Sequence, residues 1–189
     1  MKRSENRLTV RDMAYIAMFA ALMAICAWIT VPMAVPFTLQ TFAMFLCAAV
    51  LGPRRGCLSV LLYILLGAVG LPVFSGFSGG AAALVGPTGG YIVGFLPMVA
   101  LTGALLQHSN APVSRLFVMC AGLVVCYAFG TVWFLWVYTQ RTGPIGLFAV
   151  LSKCVFPFIV PDLAKLILAE GIARRLAPVL EKGTRRNGK

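Results

Sequence analysis

The chain has 189 residues, 60% of them hydrophobic and 11% charged, with a mean hydropathy of +0.93. This balance excludes a soluble globule and indicates an integral membrane protein surrounded by lipid. The formal net charge of +11 does not point to nucleic acid, because the basic residues flank apolar segments and form no surface interleaved with aromatics.

Charged residues cluster and leave three uncharged runs: Met13–Pro53 (41 residues), Gly56–Ser114 (59 residues) and Leu116–Gln140 (25 residues). A spanning helix takes about 20 residues, so these runs predict two, two and one helices, with a sixth near the C-terminus. Continuous apolar stretches, without the alternating polarity of barrel strands, make helices the spanning form. In chain order the predicted spans are 13–31, 33–51, 57–71, 90–106, 116–138 and 157–173. The first is long enough to cross and leads straight into another apolar segment, so it reads as a helix and not a signal peptide.

The expected organisation is an all-α, six-helix membrane domain over residues 13–173, an N-terminal segment 1–12 and a basic tail 174–189. An even number of crossings puts both termini on one side. Thirteen of the sixteen basic residues then lie there, including Lys2, Arg3, Arg7, Arg54, Arg55, Arg115 and Lys189. Only Arg141 and Lys153 face the other side, which predicts cytoplasmic termini in the cell membrane.

The external side receives the turn at 32–37, the connection 140–156 and the long loop 72–89, PVFSGFSGGAAALVGPTG. The loop carries no charge, and its glycines and the aromatics Phe74 and Phe77 predict a packed lid in place of a solvated linker. Gly86-Pro87-Thr88-Gly89-Gly90-Tyr91 opens the fourth span. Free N–H groups and the positive dipole end at such a start can receive a carboxylate, or the motif is simply a helix entrance.

Between Asp12 and Glu170 the sole acidic residue is Asp162, and Lys165 follows three positions later on the same helical face. Both are expected in the outer half of the membrane, roughly 8 and 12 Å below the external end. Ionised groups at that depth must pair or line a polar cavity, so the pair is either a ligand site or a structural salt bridge. Glu170 lies near the cytoplasmic end, four residues before Arg174, and reads as an i,i+4 pair.

In the first span Ala17 to Ala21 and Ala20 to Ala24 form a strip of small residues, suited to internal packing or to a partner helix. The six cysteines lie in or beside apolar segments without a C-x-x-C pair, so reduced packing residues are expected, with no metal and no cofactor. There is no G-x-x-x-x-G-K-[ST] phosphate loop, and the single His108 has no partner near it in sequence. An ATPase is therefore not expected in this chain.

Taken together, Val35-Pro36-Phe37-Thr38-Leu39-Gln40-Thr41-Phe42, Gly70-Leu71-Pro72-Val73-Phe74, Gly86 to Tyr91, and Pro157-Phe158 with Asp162 and Lys165 resemble the BioY family over nearly the whole chain. Members of that family are biotin-binding S components of energy-coupling factor (ECF) transporters. The resemblance implies a six-helix S-component fold that captures biotin from outside and works with a transmembrane T component and two cytoplasmic ATPases. It implies that Asp162 accepts from a ureido N–H and Lys165 donates to the ureido carbonyl, and that Gln40 is among the substrate-binding residues. It places the apolar part of biotin against Phe37, Phe74, Phe77 or Tyr91, and its carboxylate near Thr88 and the N–H groups of Gly89 and Gly90. The alanine strip resembles the surface that meets the T component. The chain departs from the family pattern at Pro161, where glycine precedes the aspartate. A self-sufficient biotin carrier and a small intramembrane enzyme using the charged pair are the alternative readings.

Overall fold

The computed structural model describes residues 8–33 and 35–186, with side chains given up to residue 176. The predicted positions Lys2, Arg3, Arg7 and Lys189 therefore lie outside the described residues, as do the side chains of Lys182, Arg185 and Arg186. The chain is almost entirely helical: α1 (Val10–Trp28), α2 (Gln40–Ala68), α3 (Ala81–Val85), α4 (Gly89–Leu106), α5 (Pro112–Thr142), α6 (Leu147–Cys154) and α7 (Phe156–Arg186). Four of these are long and apolar enough to cross a membrane, and α6 with α7, bent by 41°, supplies a fifth candidate.

Helix α1 starts earlier than its hydropathy suggests because Thr9 and Asp12 form a capping box. The Thr9 hydroxyl accepts from the Asp12 N–H at 3.2 Å, and Asp12 Oδ2 accepts from the Thr9 N–H at 3.0 Å. The second span starts at Gln40 and not at the predicted residue 33. Pro32 and Pro36 disfavour helix, and β1 (Thr30–Val31) pairs antiparallel with β2 (Phe37–Thr38), Thr30 opposite Thr38. This small ribbon leads into α2 and carries Thr38 to the centre of the molecule.

Among the described residues seven α-helices stand where six were expected, although α2 alone takes in the two predicted spans 33–51 and 57–71. As a straight rod, α2 would hold Gln40 and Tyr63 roughly 34 Å apart, yet Gln40 Nε2 donates to the Tyr63 hydroxyl at 2.6 Å. The element is a hairpin: Gly52 adopts φ +72° and Pro53 starts the returning arm. Glycine relieves the cost of the left-handed turn, and proline suits a first helical position because its missing N–H has no partner there anyway. Helix α4 packs on this turn so closely that a Cβ on Gly103 would come within 2.6 Å of Pro53 N. The two short helices α3 and α6 are the additions, formed inside the connections predicted to be loops.

The loop after α2 is folded and packed. A short 3₁₀ turn (Ser75–Phe77) is closed by a bridge between Phe74 and Ser78. Phe74 is 1% exposed and lies edge-on to Tyr63, in a notch where a Cβ on Gly67 would sit 2.0 Å from the ring. Trp28 Nε1 donates to the Pro72 carbonyl at 2.8 Å, and its ring stacks on Phe77 at 5.1 Å. Trp133 Nε1 holds the Gly86 carbonyl at 3.0 Å.

At the opposite end of the bundle, Arg55 pairs with Asp12 at 3.0 Å. Glu170 accepts from both Arg174 at 2.7 Å and Arg115 of α5, so it ties two helices together and is more than an i,i+4 pair. The alanine strip is split by the fold: Ala20 and Ala24 are buried in the core, while Ala17 and Ala21 face outward with Ala14. Helix α7 runs unbroken through Pro161 to Arg186, so the predicted tail begins as a continuation of the helix.

Candidate functional site

The end of the bundle that carries the ribbon, the folded loop and α6 encloses a cavity open to the centres of water-sized molecules over about 70 Å³. One buried water needs about 10–15 Å³, so this is room for a multi-atom ligand. Its walls come from distant stretches of chain: Val35, Pro36, Thr38, Gln40 and Thr41 around the start of α2; Ser75 of the loop; Thr88, Tyr91, Ile92 and Phe95 of α4 and its entrance; Cys126 and Tyr127 of α5; and Cys154, Phe158, Asp162 and Lys165 of α6 and α7.

Asp162 and Lys165, 2% and 7% exposed, form the polar floor. Their helical offset of three lets Lys165 Nζ reach Asp162 Oδ1 at 2.7 Å. The ammonium also donates to the Thr38 carbonyl at 2.6 Å and stands 3.9 Å from the centre of the Phe37 ring, a cation–π contact. Two of its N–H groups thus have oxygen partners, and the ring face lies beside the charge.

The carboxylate is held on both oxygens. Thr41 donates to Oδ1 at 2.9 Å and Tyr127 to Oδ2 at 2.6 Å. A carboxylate offers about four acceptor positions, so three donors leave one, on Oδ2. These charge-assisted bonds offset the desolvation that would otherwise expel an ion pair from so apolar a setting. Around this floor the cavity is flanked by aliphatic and aromatic surface, including Ile92, Phe95 and Phe158. A ligand suited to it combines a compact group bearing both N–H and C=O with an apolar body.

Thr88, Tyr91 and Gln40 of the predicted site residues line the cavity beside the charged pair. The Tyr91 hydroxyl lies 3.4 Å from that of Thr131, on α5. Phe37 lies beneath Lys165 and 6.1 Å from the lining residue Phe158. Four predicted positions fall elsewhere. Phe74 is spent in packing, and Phe77, 63% exposed, stacks on Trp28 outside the cavity. The Gly89 N–H already donates to Gly86 O at 3.0 Å, and a Cβ there would strike the Leu84 carbonyl, so this glycine serves the α3–α4 junction. Gly90 lies against Trp133, whose Cβ would be 2.1 Å from a Cβ on the glycine. Arg141 rests on the Val85 carbonyl at 3.4 Å, outside the cavity lining.

Tyr127 and Thr41 were not singled out by sequence, although both touch Asp162 directly. Thr41 stood inside a recognised motif. Tyr127 and Thr131 are hydroxyl residues four apart in a long apolar run, a weak but legible sign of a polar facing surface. The thiols of Cys126 and Cys154 remain free and form part of the wall.

Residues 1–182 match the sequence model of the BioY family. The biotin transporter BioY of Thermotoga maritima is 43% identical over 168 residues, covering 88% of this chain and 96% of its own. A probable biotin transporter BioY from Pyrococcus horikoshii is 40% identical over 170 residues, covering 89% and 98%. The crystal structure of the S component for biotin from an ECF-type ABC transporter superposes with a TM-score of 0.79 at 30% identity, over 92% of this chain and 94% of that one.

Proposed function

The chain belongs to the BioY family, and from that premise we propose that it is a multi-pass membrane protein that takes up biotin as the substrate-binding S subunit of an ECF importer. The observation that carries this reading is the buried Asp162–Lys165 pair at the floor of the cavity. Biotin's cyclic urea presents N–H donors beside a carbonyl. The open acceptor position on Asp162 takes an N–H, and Lys165 turns one N–H from Thr38 or Asp162 to the ureido oxygen. The apolar rings and chain of the vitamin lie along Tyr91, Ile92, Phe95 and Phe158. The carboxylate points outward past Thr88, with the hydroxyl as its nearest donor.

A ligand lacking either half of the urea desolvates the floor without making a bond to the open acceptor position on Asp162 or to Lys165, so discrimination at this floor is steep. No chemical conversion is required of the pair, in keeping with relatives named as transporters.

Counting the α2 hairpin as two crossings and α6 with α7 as one gives six crossings, which puts both termini on one face. The excess of basic residues assigns that face to the cytoplasm of a cell whose plasma membrane holds the protein. The outward Ala14, Ala17 and Ala21 supply a surface for close helix approach by a T component. Two cytoplasmic ATPases attached to that partner would drive release. Binding of labelled biotin by the purified chain in nanodiscs tests the core of the reading. Saturable one-to-one binding supports it, and absence of binding by folded protein rejects it.

A further inference from the structure

A chain of buried hydrogen bonds starts at Lys165 and leaves the ligand floor. Lys165 Nζ donates to the Thr38 carbonyl at 2.6 Å. Thr38 Oγ1 donates to Gln40 Oε1 at 3.0 Å, Gln40 Nε2 donates to the Tyr63 hydroxyl at 2.6 Å, and that hydroxyl donates to the Val73 carbonyl at 3.2 Å. From the Thr38 hydroxyl onward every donor points toward the folded external loop, so those three bonds polarise one another, while the Thr38 carbonyl held by Lys165 is joined to that hydroxyl through the residue's own covalent frame. Thr38, Gln40 and Tyr63 are all buried, and Tyr63 lies outside the cavity lining, so its bonds to Gln40 and Val73 have no ready replacement.

The far end of the chain is fixed in the loop that closes over the site. Val73 lies two residues before Ser75, which lines the cavity, and one before Phe74, which is seated edge-on against the Tyr63 ring. Tyr63 therefore holds the loop in two ways, by its hydroxyl on Val73 and by its ring on Phe74. Only the first is connected to the ligand floor.

We infer that Gln40 and Tyr63 are positioning residues that couple the occupancy of Lys165 to closure of the loop over residues 72–80. When a ligand carbonyl draws an N–H of Lys165 away from Thr38, the Thr38 end of the relay changes and the grip on Val73 changes with it. The loop thus reads the state of a charge that it does not touch. The inference rests on the biotin reading for the identity of the ligand, but the relay itself exists in the empty protein.

The experiment is amide hydrogen exchange on the full chain in nanodiscs, with and without biotin, alongside biotin dissociation rates. Tyr63→Phe keeps the ring contact with Phe74 and removes the hydroxyl. Exchange at 72–80 should rise about tenfold without ligand, the fold-change expected from one lost buried bond. Biotin should dissociate about tenfold faster and its protection of the loop should shrink, while exchange in α4 stays at the wild-type rate. Gln40→Met, which cuts the same chain one link earlier, should reproduce this pattern and guards against misfolding of the first variant. The paired change Asp162→Asn with Lys165→Met, which removes the ammonium without stranding a charge, should also raise loop exchange in the empty protein. Wild-type loop exchange in Tyr63→Phe or Gln40→Met overturns the relay. A response to those two variants but none to the paired change overturns its coupling to the ligand floor. If the folded wild-type chain binds no biotin, the functional reading falls, and the ligand-free comparison still decides the relay.

Discussion

Tyr127 of α5 donates its phenolic hydroxyl to Asp162 of α7 at 2.6 Å, joining two helices at the floor of the cavity. The bond does more than connect them: it fixes the carboxylate plane while Thr41 and Lys165 occupy its other oxygen. Removing the hydroxyl lets the carboxylate turn. Tyr127→Phe should therefore weaken biotin binding about tenfold, the lower end of what a hydrogen bond to a charged group supplies. Equilibrium binding of labelled biotin measures this, and unchanged affinity would remove Tyr127 from the site.

Because the two charges compensate each other in the empty protein, single and double neutralisations should behave differently. Asp162→Asn or Lys165→Ala strands a buried charge and should cost about 3–5 kcal/mol of stability. Asp162→Asn combined with Lys165→Met should recover most of that stability and still fail to bind biotin. Thermal unfolding compared with biotin titration separates the effects. A doubly neutral protein that binds normally would make the pair purely structural.

Gly67 faces the Phe74 ring with no space for a methyl group, the nearest ring atom lying 2.0 Å from a Cβ placed there. Gly67→Ala should displace Phe74 and loosen the loop, at a cost of about 1–3 kcal/mol, as for other overpacked cores. Raised protease cleavage within 72–80 together with a lower melting temperature is the expected outcome. A wild-type cleavage pattern would show that the ring is not what anchors the loop.

Ala17 and Ala21 face outward, so enlarging them leaves the interior untouched. The double change Ala17→Leu with Ala21→Leu should preserve biotin affinity and abolish uptake that depends on a T component. Binding by purified protein and uptake by cells carrying T component and ATPases provide the two readouts. Normal uptake would move the partner surface elsewhere.

Sequence by itself determined that the chain lives in a membrane, and it singled out Asp162 and Lys165, because isolated charges in apolar runs are costly wherever the chain folds. It also led to the family, since four motifs recur in order along the chain. Helix ends were less legible: Thr9, the paired prolines and Gly52 act through backbone geometry that hydropathy averages away. Only the tertiary structure decided which neighbours the charges meet. Tyr127 and Thr41 reach Asp162 because separate helices converge there, whereas Phe74, Gly89 and Gly90 are taken up by packing and Phe77 stacks on Trp28 outside the cavity. Composition reports what a residue costs to bury, while its role depends on partners that are distant in sequence and adjacent only after folding.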